Sequence, residues 1–402
     1  MKYFIKVSLS ACLFLCVQVA TGQNFIINNY HKNAYGAIWN LEKPEPLAKV
    51  NTDPLSIYIS SLHNALYVIL NDDEAELGAY EKHFNKIEQL LDNGKDGAET
   101  IFVKSEILLH YAFVQLTFGN EISAAWMIRK SYKLVKQGMA RHPTFEPILK
   151  TSAVHHIIMG SIPKKHEWLM SLFGLNGNIK EGLEQLNQLI TDNSFFQNES
   201  IAITKLIGVY LFIENKSFPE PELPKNSLSH LIDALVHSKN GNNEIALSEL
   251  NEIQSHQNQY PIINYLTAEA LLRASQYPAA IRTYQKFLKL SRGASNIKDA
   301  YFKLGIIHYL TNNSDSTKYY FDKAQQQGER KSEADKHAAK VLNSDRLPRP
   351  LILKLRILTD GGYFKQASQI VKSADSLEFE HFNDKLEFEY RKARLYHKQD
   401  SI

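Results

Sequence analysis

One five-residue pattern recurs along the second half of the chain and constrains the fold more than any other feature. Ala234, Gly241, Ala246, Leu250 and Ile253 return 34 residues later as Ala268, Ser275, Ala280, Tyr284 and Phe287. A third copy, displaced by 37, reads Gly305, Asn312, Thr317, Phe321 and Ala324, and a weaker fourth reads Leu355, Gly362, Ala367, Val371 and Ala374. The spacing has a mechanical reason. A small residue in each of two helices lets the pair approach closely, and the large residue four positions later fills the gap to the next pair. The turn residue (Gly241, Asn312, Gly362) tolerates the left-handed backbone that stops the first helix. Ala112, Gly119, Ala124, Ile128 and Ser131 repeat the same offsets in the first half. From Leu55 onward apolar residues recur at three and four, as in Tyr58, Leu62, Leu66 and Ile69, and no stretch alternates with period two. The expected fold is all-α: antiparallel helix pairs stacked so that neighbours bury a continuous core.

A period of 34 with small residues at fixed offsets resembles the tetratricopeptide repeat, which implies a right-handed solenoid with a concave inner face. A second likeness covers roughly residues 100–190. Ser152-Ala-Val-His-His-Ile-Ile-Met-Gly-Ser-Ile-Pro163, Trp168, Phe173-Gly174, Gly177 and Gly182-Leu183 resemble the non-canonical part of the tetratricopeptide family that includes the yeast inclusion-body clearance protein. The whole is similar to secreted tetratricopeptide proteins of Bacteroidetes-type bacteria. The expected organisation is a leader over 1–22, an irregular, extended lead-in over 23–54 and a helical region with a degenerate repeat over 55–220. Repeats follow over 221–402, at about 227–260, 261–294, 298–331, 348–381 and an incomplete 386–402. In that last copy His397-Lys398-Gln399-Asp400 reads as a turn.

The leader reading rests on Lys2 and Lys6, the apolar run Val7–Ala20, and small residues at Ala20 and Gly22 before a cut at Gln23. Leu9-Ser10-Ala11-Cys12 also has the form of a lipidation site, but the apolar run continues well past Cys12, so a lipid anchor is not expected. Both cysteines, Cys12 and Cys16, lie in this segment. The mature chain then holds no disulfide, thiolate metal site or cysteine nucleophile. No later run is apolar enough to span a bilayer. The expected location is exported, periplasmic or at the cell surface. Net charge is +3 over 402 residues, and about +1 without Lys2 and Lys6, so no basic field for nucleic acid exists.

Catalytic and cofactor motifs are not evident. His155 and His156 are adjacent and point about 100° apart on a helix, so they cannot share a metal unaided. Gly174, Gly177 and Gly182 lack dinucleotide-loop spacing; Asn176-Gly177-Asn178 reads as an interhelical turn with Asn178 capping a helix from Ile179. Arg129, Lys130, Lys133, Lys136 and Arg141 form a locally basic stretch, either a solvated helix face or a contact for an acidic partner or anionic headgroups. No catalytic residue, metal or cofactor is expected. The binding candidates are the inner-face positions of the first helices, above all Lys239, Tyr265, Glu269, Arg273, Phe302, Tyr309 and Arg356. Aromatic anchors beside cations suit an extended peptide carrying a carboxylate. The expected role is a scaffold for protein or peptide partners, unless the groove is filled by the chain's own segment. The alternative is a glycan- or nutrient-capture component using Trp39, Trp126 or Trp168 as platforms.

Overall fold

A computed structural model describes residues 25–46, 49–92, 97–162, 177–211, 222–344, 346–374 and 379–400. The leader with both cysteines, Pro163, Trp168 and Phe173-Gly174 lie outside these residues. Every regular element among the described residues is helical, so the chain is all-α. It divides into two compact units, residues 1–232 and 233–402.

The first unit contains α1 (Asn29–Trp39), α2 (Pro54–Asn71), α3 (Glu74–Asp92), α4 (Ala98–Thr117), α5 (Glu121–Arg141), α6 (Ile148–Gly160), α7 (Ile179–Thr191) and α8 (Gln197–Tyr210). The presence of α1 corrects the expected extended lead-in. The Asn28 side chain accepts from the His31 amide at 3.0 Å, and His31 Nδ1 accepts from the Asn28 amide at 3.2 Å. This reciprocal cap starts a helix that buries Tyr35, Ile38 and Trp39. Asparagine side chains serve helix caps and turns with the same chemistry, so composition alone does not separate the two here.

The unit boundary falls inside α9 (Ser227–Asn240). Beyond it lie α10 (Asn243–Glu252), α11 (Ile262–Arg273), α12 (Tyr277–Leu290), α13 (Ile297–Leu310), α14 (Ser314–Gln326), α15 (Glu333–Leu342), α16 (Pro350–Asp360), α17 (Phe364–Ser373) and α18 (Phe382–Asp400). The repeat pattern maps onto pairs α9–α10, α11–α12, α13–α14 and α16–α17, with α4–α5 as the matching pair of the first unit. All five turn positions are left-handed: Gly119, Gly241, Ser275, Asn312 and Gly362, at φ of 88°, 80°, 58°, 57° and 81°. In each, the following amide reaches back five residues to a carbonyl at 2.9 Å, as Asn242 does to His237 and Tyr363 to Leu358. That bond is the helix-stopping motif a left-handed residue makes available. Ala112, Ala124, Ala246, Ala268, Ala280 and Ala367 have no exposed surface. A Cβ on Gly305 would run into the Phe321 ring, the large residue of its own copy.

A further helix separates the third pair from the fourth. An unforeseen helix, α15, starts at a capping box in which Ser332 Oγ accepts from the Asp335 amide and Asp335 from the Ser332 amide, both at 3.0 Å. Asp335 also accepts from the amides of Asn296 (2.8 Å) and Asp299 (3.0 Å), pinning α15 to the start of α13. Ala338 then joins Phe302, Ile306, Ala324 and Leu353 in the core. After this insertion α16 packs against both α11 and α13. Its terminal turn meets the turn of the first pair: a Cβ on Gly362 would collide with the Gly241 carbonyl oxygen, and the Asn243 amide donates to Gly361 O at 3.3 Å. The fourth pair thus touches all three of the preceding pairs.

The last helix is also corrected. His397 to Asp400 continue α18 rather than forming a turn, and the helix begins at Phe382. Phe388 and Leu395 bury against Leu355 and Leu358. Phe382 (76% exposed), Leu386, Tyr390 and Tyr396 face solvent.

Candidate functional site

The inner-face candidates of the second unit separate into core and charge. Tyr265 is buried, packs edge-on to Tyr284 and against Phe287, and donates to Asp299 Oδ2 at 2.8 Å. Phe302 is buried and stacks on Phe321 at 5.7 Å. Tyr309 is half-buried and donates to the Pro348 carbonyl at 3.3 Å. The expected aromatic anchors are therefore packing residues: Tyr265 turns into its own pair and α13, and Phe302 is met by Ala338 of α15 and Leu353 of α16. Glu269 is consumed as well: it accepts from Tyr284 OH and from Lys303 Nζ at 3.0 Å, and lies 3.7 Å from Arg273. Burial pushes its carboxyl up, but Lys303 and Arg273 outweigh that and hold it below the usual range. Asp299 goes the other way: burial dominates and lifts it to about 6, against the pull of Lys303.

The cations converge where the C-terminal ends of α9, α11 and α16 meet. Arg273 donates to Ser238 Oγ at 2.6 Å, and its Cβ lies against Gly361. Arg394 of α18 pairs with Asp360 at 3.0 Å, and Arg356 with the same carboxylate at 3.7 Å. Lys398 approaches the Gly241 turn. Desolvation together with neighbouring positive charge lowers Lys239 (by Arg273), Lys398 (by Arg394 and Arg273) and Arg356 (by Arg391 and Arg394). His337 of α15 is driven to about 4 by burial and then by Arg356, Lys303, Lys340 and Arg391. Part of this charge complements the three helix C-termini, whose carbonyls carry partial negative charge. The carboxylates that oppose it are Asp360, Glu387, Glu269 and Asp299. Chemically the cluster can hold an anion. Of the expected site, Lys239, Arg273 and Arg356 belong to it. Lys303, His337, Arg391, Arg394 and Lys398 were missed; of these only Lys398 lay in the segment expected to be a turn.

The first unit holds a different arrangement, entirely buried. Lys150 Nζ donates to Glu106 Oε2 (2.6 Å), Glu199 Oε2 (2.6 Å) and Tyr58 OH (2.7 Å). Tyr58 donates to Glu199 at 2.7 Å, Tyr35 also donates to Glu199, and Thr151 donates to Glu106 at 2.5 Å. The rings of Tyr58 and Phe196 lie 4.8 and 5.1 Å from the ammonium. All three ammonium protons are used, and five helices (α1, α2, α4, α6 and α8) meet at one ion group. Burial pushes Glu106 up, but Lys150 and its hydrogen bonds bring it down to about 2. Burial likewise opposes the Lys150 charge, and the two carboxylates overcome it and raise its value. With no exposed surface at Lys150, Glu106 or Glu199, this group binds helices rather than ligand.

The two histidines part as their spacing requires. His155 is buried against Ser131 Oγ at 2.9 Å, and burial lowers it to about 3. Ser131 donates to Ser105 O, so His155 Nε2 carries the proton that Ser131 accepts. His156 accepts from the Asn178 amide and lies 3.2 Å from Glu181. Asn178 caps α7 at the Lys180 amide (2.9 Å), and a Cβ on Gly182 would sit 2.7 Å from Ala153 O, so this glycine serves the close approach of α6 and α7. Trp39 is buried, whereas Trp126 is 49% exposed. No group of three or more metal-ligating side chains occurs among the described residues, and none of their helices is long and apolar enough to cross a membrane. No protein-family model, curated protein or solved structure matches the chain.

Proposed function

We propose that the protein is an exported helical-repeat scaffold of tetratricopeptide type that holds an acidic segment of a protein or peptide partner at the cation cluster of its second unit. The observation that carries this reading is the convergence of Arg356, Arg394 and Lys398 on Asp360, with Arg391, Arg273 and Lys239 close enough to add to the same positive field. The left-handed turns and fully buried alanines support the repeat type; the leader pattern supports export to the periplasm or cell surface. Arginine, planar and weakly hydrated, suits bidentate contact with carboxylates. The scaffold role asks nothing of a cofactor or a catalytic residue. The capture alternative loses Trp39 as a platform, since that ring is in the core. The test is fluorescence anisotropy of the full chain with a labelled Glu/Asp-rich peptide against a Lys-rich one. Binding of the acidic peptide alone, lost in Arg356→Glu with Arg394→Glu, is expected. Equal binding of both peptides, or of neither, refutes the reading.

A further inference from the structure

Helix α5 of the first unit carries a surface with a different chemistry. Its inward row, Ala124, Ser131, Val135 and Gly138, is buried. Its outward row begins with Ile122 (78% exposed) and Trp126, one turn apart. The same side continues into Arg129, Lys130, Lys133 and Lys136, with Arg141 at its end. From Ile122 to Arg141 there is no Asp or Glu. The Arg129 guanidinium lies 5.4 Å from the Trp126 ring, and the Lys136 ammonium 5.3 Å from the Tyr132 ring, so apolar and cationic groups are interleaved on one face.

We infer that this face of α5 is a docking surface for an anionic lipid bilayer, with Ile122 and Trp126 entering the interface and the cations resting on headgroups. Three features favour a bilayer over an acidic protein. Lysine predominates, and lysine is depleted at protein–protein interfaces, where flexible ammonium stems lose entropy for fixed partners. A lipid surface offers diffuse negative charge that such stems meet without fixed geometry. An exposed tryptophan beside an aliphatic side chain suits the bilayer interface, where the indole body is buried and its N–H stays wet. Stable peripheral attachment needs two signals, an apolar insertion and a basic patch, and this helix supplies both. At about 30 Å, its 21 residues lie along the membrane plane as one contact line.

The test uses the full chain and flotation with vesicles of phosphatidylcholine alone or with about 30% phosphatidylglycerol, at two salt concentrations. Binding to the anionic vesicles only, weakened at least tenfold by high salt, is expected. Lys130→Glu with Lys133→Glu and Lys136→Glu should abolish it. Ile122→Ser with Trp126→Ser should weaken it at least tenfold. These side chains are solvent-facing, so unchanged circular-dichroism melts verify the fold of each variant. Arg356→Glu with Arg394→Glu should float like the natural chain, which separates this surface from the acidic-segment site. The inference is overturned if the natural chain floats equally with both vesicles or with neither. It is also overturned if the charge-reversed variant still binds, or if only an acidic protein, and no vesicle, binds through these residues.

Discussion

Replacing Lys150 with methionine isolates what the buried ion group contributes. The change keeps the length of the stem and removes the charge, leaving Glu106 and Glu199 desolvated without their cation. Deleting one partner of a buried pair costs about 3–5 kcal/mol. The fall of Glu106 from its ordinary 4.5 to about 2 corresponds to about 3 kcal/mol, in agreement. The sign with pH follows from these directions. A depressed carboxyl contributes stability that is complete above about 4.5 and lost as pH falls through about 2. Lys150, raised, contributes below 10.5 and loses that contribution as pH rises through its elevated value. Without Lys150, the largest influence that opposes burial at Glu106 is gone and only His110 and Thr151 remain against it, so its carboxyl moves up and the deficit of the variant is largest near pH 8 and shrinks toward pH 5. Trp39 and Trp126 belong to the unit of residues 1–232 and no tryptophan occurs in the sequence after 168, so indole fluorescence during urea unfolding does not read the second unit and follows the first. Lys150→Met combined with Glu106→Gln and Glu199→Gln should recover at least half of the loss. A deficit below about 1 kcal/mol at pH 8, or one equal at pH 5 and pH 8, refutes the reasoning.

Ala280→Leu should destabilise the second unit by about 1–3 kcal/mol, because Ala280 is fully buried between Tyr265, Tyr284 and Leu304; thermal melts followed at the α-helical signal check it. Gly362→Ala should slow or prevent folding of that unit, since the residue has φ of 81° and faces the Gly241 carbonyl; unfolding rates measured by hydrogen exchange across 350–374 should rise. Asp299, lifted to about 6, contributes stability that is present below its ordinary 3.8 and lost as pH rises through about 6, so Asp299→Asn should flatten the stability of the second unit between pH 4 and 7. Phe382→Ser with Leu386→Ser should leave the melting temperature unchanged and lower the tendency to self-associate in sedimentation velocity, because both side chains face solvent.

The helix pairs and their left-handed turns were legible because their constraints are local. Ala246, Gly241 and Ala280 must be small or left-handed for reasons contained within one helix pair, and the offsets between them are set by helix geometry alone. Asn178 was legible for the same reason: a cap and its amide are two residues apart. What escaped was non-local. Lys150 finds Glu106 and Glu199 at separations of 44 and 49 residues, and Tyr58 reaches Glu199 across 141. One signal was present: Lys150, Glu106 and Glu199 all stand in register with apolar neighbours that face the core. Glu106 and His110, 3.6 Å apart, are one helical turn from each other on α4, so this pairing is a local one. Phe302 was misplaced because its burial depends on Ala338 of the inserted helix α15, and Tyr265 because it packs into its own pair against Tyr284 and Phe287.

The contact of Gly362 with Gly241 alters how the second unit must fold. An open array of helix pairs is close to one-dimensional: each pair leans on its neighbours, ends fray, and a pair can be lost with only its own share of stability. Here the first and fourth pairs touch across about 120 residues of chain, as the Asn243–Tyr363 hydrogen bond measures directly. The loop that this closes has to be paid in chain entropy before any of its contacts form, so folding is slower than for a ladder of local pairs and unfolding is concerted. Removing α16 to α18 would not yield a shorter array; it would strip α11 and α13 of their packing against α16 at once. A truncation series of this unit should therefore show a single threshold, with no stable three-pair form below it.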